Sequence, residues 1–325
     1  MRGREILWPW AALLAALVGA AADRSGTLPA GWWFAPWTLS LVLFGLPHGA
    51  LDHVVVLRLW RPALSPGRAL GAVLAGYLGA CGIVLFGWFA APVVVFAGFI
   101  GLTWAHWGLA DLWWSWRRDP AYFASRGHRA VFAAWRGALP MLVPLAVDPG
   151  LYRRTAETTC GLFTRGAVDF RWLEHPPARV AALALALALG TVDALLARPS
   201  PTRRLNLAEG AALLAFFAGL PALASVGLYF SFWHGLRHVL RLMASEGLGW
   251  SGFAWRALPN TLGALALLGG LAGLVGRALD GWSLVGVYLA LIAALTVPHA
   301  AVVAWLDARD HLWHKGAATI RASQT

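Results

Sequence analysis

Ten apolar runs divide this chain, near residues 6–22, 32–57, 70–88, 93–114, 131–147, 179–197, 207–219, 221–244, 259–276 and 283–304, and most have the length of a bilayer crossing. With 59% hydrophobic and 13% charged residues among 325, the chain has more apolar surface than a soluble globule of this size can hide. The expected fold is therefore all-α: a polytopic membrane helix bundle of about ten (8–10) transmembrane helices in a single membrane-embedded domain, residues 1–325. The seventh run is short and is parted from the eighth only by Gly219, Leu220 and Pro221, so that pair reads as a tilted hairpin or a re-entrant element. Arg2 and Arg4, an apolar stretch, and Ala20 to Ala22 before Asp23 also fit a cleavable signal segment, but residues 1–22 are read as an extra, uncleaved helix.

The formal net charge is +11, and its distribution excludes a nucleic-acid partner. Lys and Arg form no basic stripe. They fall in short clusters between apolar runs, as topology signals do. With the N-terminus inside, 19 of the 26 lie on the inner side, Arg58, Arg61, Arg117, Arg118, Arg203 and Arg204 among them, and 7 lie outside. Five of those seven are in or beside the loop 148–178, accompanied by Asp148, Glu157, Asp169 and Glu174. This partition predicts an even number of spans, a cell-membrane location and two cytoplasmic termini. Many of the twenty tryptophans stand at run ends, where an interfacial belt would be. Two cysteines, Cys81 and Cys160, make neither a disulfide framework nor a thiolate metal site.

Six of the ten histidines lie inside apolar runs: His48, His53, His106, His234, His238 and His299. In the even-span topology each stands in the half of its helix nearer the cytoplasm, roughly 6–15 Å above the inner end at ~1.5 Å rise per residue. A lone membrane histidine is usually a polar group bonded across helices. Six at one depth point instead to a metal, proton or ion site. His234 and His238 are i and i+4, so both rings project from one helical face and suit one ion. His48 and Asp52 are likewise i and i+4, whereas His53 is turned away by about 140°. Asp52 is a candidate to accept a hydrogen bond from His48 or from a histidine on another helix, the alternative being a carboxylate reaching toward Arg58. Asp111 stands five residues after His106 and points elsewhere, close enough to the interface for solvation to account for it.

Taken together, GLPHGALD at 45–52, HxGxAD from His106 to Asp111, HxxRH from His234 to His238 and LTVPH at 295–299 resemble the bacteriorhodopsin-related-protein (Brp/Blh) family of membrane carotene dioxygenases. The likeness runs from about residue 32 to residue 307. It implies a membrane enzyme that uses Fe(2+) and O2 to split the 15,15′ double bond of all-trans β-carotene into two molecules of retinal, a product that a rhodopsin can receive. Carried over position by position, the family's iron ligands fall on His48, His106, His234 and His238. His299 matches a motif position but is not among those ligands; with Asp52 and Asp111 it is a candidate support for them. His53 falls where no fixed histidine is expected. Four imidazoles on a six-coordinate ion leave two open positions. The substrate is an apolar polyene already dissolved in membrane lipid, and Trp104, Trp107, Phe230, Phe232 and Trp233 are candidates to line its slot.

Three other readings stay open on the residues alone. A membrane di-iron desaturase or hydroxylase would use about eight histidines in closer sets. A haem-binding electron carrier would bracket its cofactor between histidines of two helices. A proton-coupled transporter would relay protons along them and hold no metal.

Overall fold

A computed structural model describes residues 31–60, 64–276, 280–310 and 312, together with scattered positions before residue 31. Most of the expected first helix, 6–22, and the C-terminal tail after residue 312 lie outside the described residues. Among the described residues the chain is helical throughout, without strands. Its helices are α1 (Ala35–Val42), α2 (Asp52–Trp60), α3 (Pro66–Ala90), α4 (Pro92–Arg118), α5 (Arg126–Val147), α6 (Pro149–Gly161), α7 (Pro176–Leu196), α8 (Arg203–Gly219), α9 (Ala222–Leu228), a π-helical segment (Tyr229–Gly235), α10 (Leu236–Glu246), α11 (Trp250–Val275) and α12 (Gly281–Arg309). Among the described residues seven segments, Trp32–Trp60 included, are long and apolar enough to cross a membrane. Of the ten expected runs, the first lies mostly outside the described residues, the seventh forms α8 with only 17 residues, and the eighth is interrupted. Large apolar side chains on the outer helices face outward, Ile83 at 74%, Phe86 at 75% and Leu195 at 80% exposure. Such a surface is stable against lipid rather than water.

Two of the expected continuous helices are broken, and both breaks carry histidines. The run 32–57 stops being α-helical after Val42 and resumes at Asp52. Between them Pro47, which lacks an N–H, opens the 3-10 turn Pro47–Gly49, and the freed Leu46 N–H returns to the Ser40 carbonyl at 3.0 Å. Gly45 fits here because a Cβ would stand 2.6 Å from the Ser40 carbonyl oxygen and 2.9 Å from the Phe230 ring. The phase reading for His48 and Asp52 is corrected accordingly: they are not joined by one regular helix. In the run 221–244, Tyr229–Gly235 forms a wider π-helical turn. Such turns displace side chains relative to an α-helix and recur at functional sites.

The centre of the bundle is α5, which packs on α4, α7 and α8, and α12, which packs on α3, α6 and α11. At the end of the bundle below the histidines, buried charges tie the helices together. Arg118 donates to both Glu209 oxygens at 2.9 Å, Arg237 to Asp111 at 3.0 Å and to Glu209 at 3.3 Å, and Arg241 reaches Asp307 at 2.7 Å and Asp310 at 2.9 Å. Removing one partner from such a set leaves an uncompensated buried charge, at a cost of about 3–5 kcal/mol. On the opposite side, the long loop contains α6, and its charges pair locally: Arg153 with Glu157 at 2.6 Å and with Glu174 at 2.7 Å. Arg171, donating to Asp169, holds that carboxyl down at about 2.

Candidate metal centre

The crossing of α4 and α5 brings His106 inward, because Gly108 and Gly137 let the two backbones meet. A Cβ on Gly108 would stand 1.9 Å from the Ala133 carbonyl oxygen, and one on Gly137 would stand 2.0 Å from that of Trp104. His48 comes from the 3-10 turn, His234 from the π-helical segment, His238 from the first turn of α10, and His299 from α12 directly after Pro298. All five are buried, at 3–8% exposure.

Their rings converge. Centroids lie 5.4 Å apart for His48 and His234, 5.7 Å for His48 and His238, and 4.9 Å for His106 and His234. His299 stands 4.8 Å from His48, 5.0 Å from His106 and 5.0 Å from His238. Imidazoles on one ion, with metal–nitrogen bonds of about 2.1 Å, place ring centroids about 4.6 Å apart at right angles and about 6.5 Å apart when opposite. All six separations fall in that window. Donor atoms of His48, His234 and His299 lie within 4.8 Å of one another, as do those of Asp52, His238 and His299.

Hydrogen bonding orients some of these rings and leaves nitrogens over. His48 Nδ1 donates to the Gly45 carbonyl, which fixes its free lone pair on Nε2. His299 Nδ1 pairs with Asp52 Oδ2 at 2.8 Å, so Nε2 is its free atom too. Nε2 of His106, His238 and His299 and both ring nitrogens of His234 are buried without a hydrogen-bond partner among the described residues. Buried polar atoms are seldom left so. A cation that accepts imidazole lone pairs satisfies several of them together, so the donor set fits a transition metal.

The other expected residues divide. Asp52 serves His299, not His48, and Arg58 pairs instead with Glu246 at 3.2 Å. Asp111 makes no hydrogen bond to a histidine among the described residues: it accepts from Trp233 Nε1 at 2.9 Å and from Arg237, with Arg136 of α5 3.8 Å away, and so holds the π-helical segment from outside the ring group. His53 lies 3.1 Å from Asn260 Nδ2 and is not in the group. Tyr77 on α3 was not singled out by the sequence; its hydroxyl donates to Asp52 Oδ2 at 3.0 Å. A lone tyrosine in an otherwise apolar run was the available signal.

A cavity of about 410 Å³ lies against this group, lined by His48, Asp52, Tyr77, Phe230, Asn260 and His299. Leu74, Leu78 and Leu267 also line it and are 38, 53 and 40% exposed, so it reaches the lipid-facing surface between α3 and α11. A smaller apolar cavity of about 80 Å³, lined by Trp37, Phe96, Trp107, Met141, Phe230 and Ile292, shares Phe230 and Ile292 with the first. Of the aromatics expected around a slot, Phe230 and Trp107 face these cavities. Trp104 donates to Ala134 O at 2.7 Å, Phe232 packs on Phe44, and Trp233 lies under Arg237.

The sequence profile of the family described as Beta-carotene 15,15′-dioxygenase matches residues 39–307, a stretch that holds all five converging histidines. The chain belongs to that family. It is 37% identical over 295 residues to the probable beta-carotene 15,15′-dioxygenase Blh of Halobacterium salinarum, an alignment covering 84% of each chain. The probable beta-carotene 15,15′-dioxygenase Brp of the same organism is 25% identical over 329 residues, covering 86% of this chain and 84% of that one. No solved structure matches the chain. The family makes this membrane protein a dioxygenase, and the site described above is the part of it equipped to hold a metal.

Proposed function

We propose that this membrane dioxygenase cleaves the central 15,15′ double bond of all-trans β-carotene with O2, using Fe(2+) held by His48, His106, His234 and His238, to give two molecules of all-trans-retinal. The observation that carries the reading is the meeting of a buried imidazole group with a largely apolar cavity that reaches the lipid face. The reaction balances without a further reductant: one carbon–carbon double bond and the O–O bond break, and two aldehyde C=O bonds form. Iron, when bound, supplies the ability to combine with O2; imidazole itself suits Fe, Zn, Cu and Ni alike.

The chain's own residues supply the rest. The cavity between α3, α11 and α12 takes an apolar polyene directly from lipid, without a passage through water. Phe230 lies edge-on to His48, with ring centroids 5.5 Å apart, and borders both cavities, so it stands where a rod-shaped substrate passes the histidines. The smaller cavity continues the apolar lining past Phe230 and Ile292. The location is the cell membrane with both termini cytoplasmic, which puts the histidines nearer the inner face.

The test is expression in bacteria that accumulate β-carotene, followed by pigment extraction and elemental analysis of the purified protein. Loss of orange colour with retinal appearing only in air, and about one iron per chain, is the expected result. Full activity with zinc alone would exclude the oxygen-activating reading, and two irons per chain or a haem band would exclude the single four-histidine iron.

A further inference from the structure

We infer that His299 is a fifth imidazole donor to the metal, its ring pinned by Asp52 and, through Asp52, by Tyr77. The inference rests on the metal reading above and adds a ligand to it. Its three ring separations, 4.8, 5.0 and 5.0 Å, are as short as those among the other four histidines, so position does not set it apart.

Two further observations separate a donor from a bystander. With Nδ1 engaged by Asp52, His299 presents its Nε2 lone pair to the interior of the group, buried and without a partner among the described residues. A histidine kept only for packing would leave that acceptor unmet. The second observation is electrostatic. Asp52 is 2% exposed, and its one ionic partner among the described residues is His299. The nearest arginine of its own helix, Arg58, is engaged by Glu246. A carboxylate this deep in a membrane segment calls for a positive charge close by. A divalent ion on the far nitrogen of His299 provides it, in the carboxylate–imidazole–metal order common in metalloproteins. Tyr77 Oη, 3.0 Å from the same Asp52 oxygen, completes the carboxylate's hydrogen bonding from α3.

A metal held by all five histidines would have fewer positions left for other ligands than one held by four. His48 and His299 are the two of the five that line the larger cavity, so a polyene in that cavity would lie beside a metal held by the group.

The experiment uses Co2+ as a spectroscopic probe in the purified, detergent-solubilised full chain, measuring its affinity and visible absorption in wild type, H299A and H234A. H299A is expected to bind Co2+ at least about tenfold more weakly, with the stronger absorption of a lower coordination number, and added imidazole should reverse the change through the adjoining cavity. H299A with wild-type affinity and spectrum overturns the inference. If H299A does not survive solubilisation, D52N carries the test, because it keeps His299 and removes the charge behind it. Affinity should then fall about 10–100-fold, and an unchanged affinity counts against His299. Wild type that takes up no Co2+, or H234A that binds it normally, would instead overturn the metal reading itself.

Discussion

Replacing Gly108 by Ala probes how far the metal group depends on the crossing of α4 and α5. The new Cβ would start 1.9 Å from the Ala133 carbonyl oxygen and 2.8 Å from its carbon. Carbon–oxygen contacts between helices settle near about 3.3 Å, so the backbones must part by about 1.4 Å. His106 lies on the same helix two residues earlier, and metal–ligand distances tolerate only about 0.2 Å. The displacement is several times what the site can absorb. Overpacking of this kind costs about 1–3 kcal/mol of stability, while a misplacement of about 1 Å costs on the order of 100-fold in rate. The catalytic loss should therefore exceed the loss of folded protein. Retinal yield and iron content, each normalised to membrane-inserted chain, measure the two. Gly101→Ala is the control: it sits on the same helix, a Cβ there meets nothing within 4 Å, and it should behave as wild type. Wild-type retinal and iron in Gly108→Ala would refute the claim that this crossing places His106.

Single replacement of His48, His106, His234 or His238 by Ala should abolish retinal formation and most iron binding, whereas His53→Ala should keep its iron, since that ring pairs with Asn260; elemental analysis of the five variants decides. Reporter fusions after residue 325 and in the loop 198–206 should be cytoplasmic and one in the loop 148–178 external, and an external C-terminus would overturn the even span count.

Hydropathy made the membrane class legible, since a bilayer crossing is a property of one segment's composition. The convergence of His106, His234 and His238 was foreshadowed by shared depth and by i, i+4 spacing, which are also local. The breaks at 43–51 and 229–235 were not legible. Each is held by partners distant in sequence, Phe230 against Gly45 in the first and Asp111 on Trp233 in the second. Nothing within either run marks a departure from α-helix strongly enough, because Gly and Pro are ordinary in membrane helices. The partner of Asp52 was legible only as a choice among histidines. It took the packing of α12 on α3 to bring His299 and Tyr77 to the same carboxylate. Asp111 was placed near solvent by its distance from the helix end, and the arginines of α5 and α10 that enclose it come from segments the local pattern cannot join to it.

The buried ion pairs also set a timetable for biogenesis. Asp111 and Arg237 are 126 residues apart, and Arg118 and Glu209 are 91 apart. At synthesis rates of about 5–20 residues per second, Arg237 follows Asp111 by roughly 6–25 s, whereas Arg136, 3.8 Å from the other Asp111 oxygen, follows it by about 1–5 s. During the longer interval Asp111 lacks the arginine that hydrogen-bonds it in the finished bundle, which disfavours its settling at full depth. The set of buried pairs is therefore completed only when α8, α10 and α12 have all been made. A chain truncated before α12 lacks Asp307 and Asp310 and leaves Arg241 without those two carboxylates.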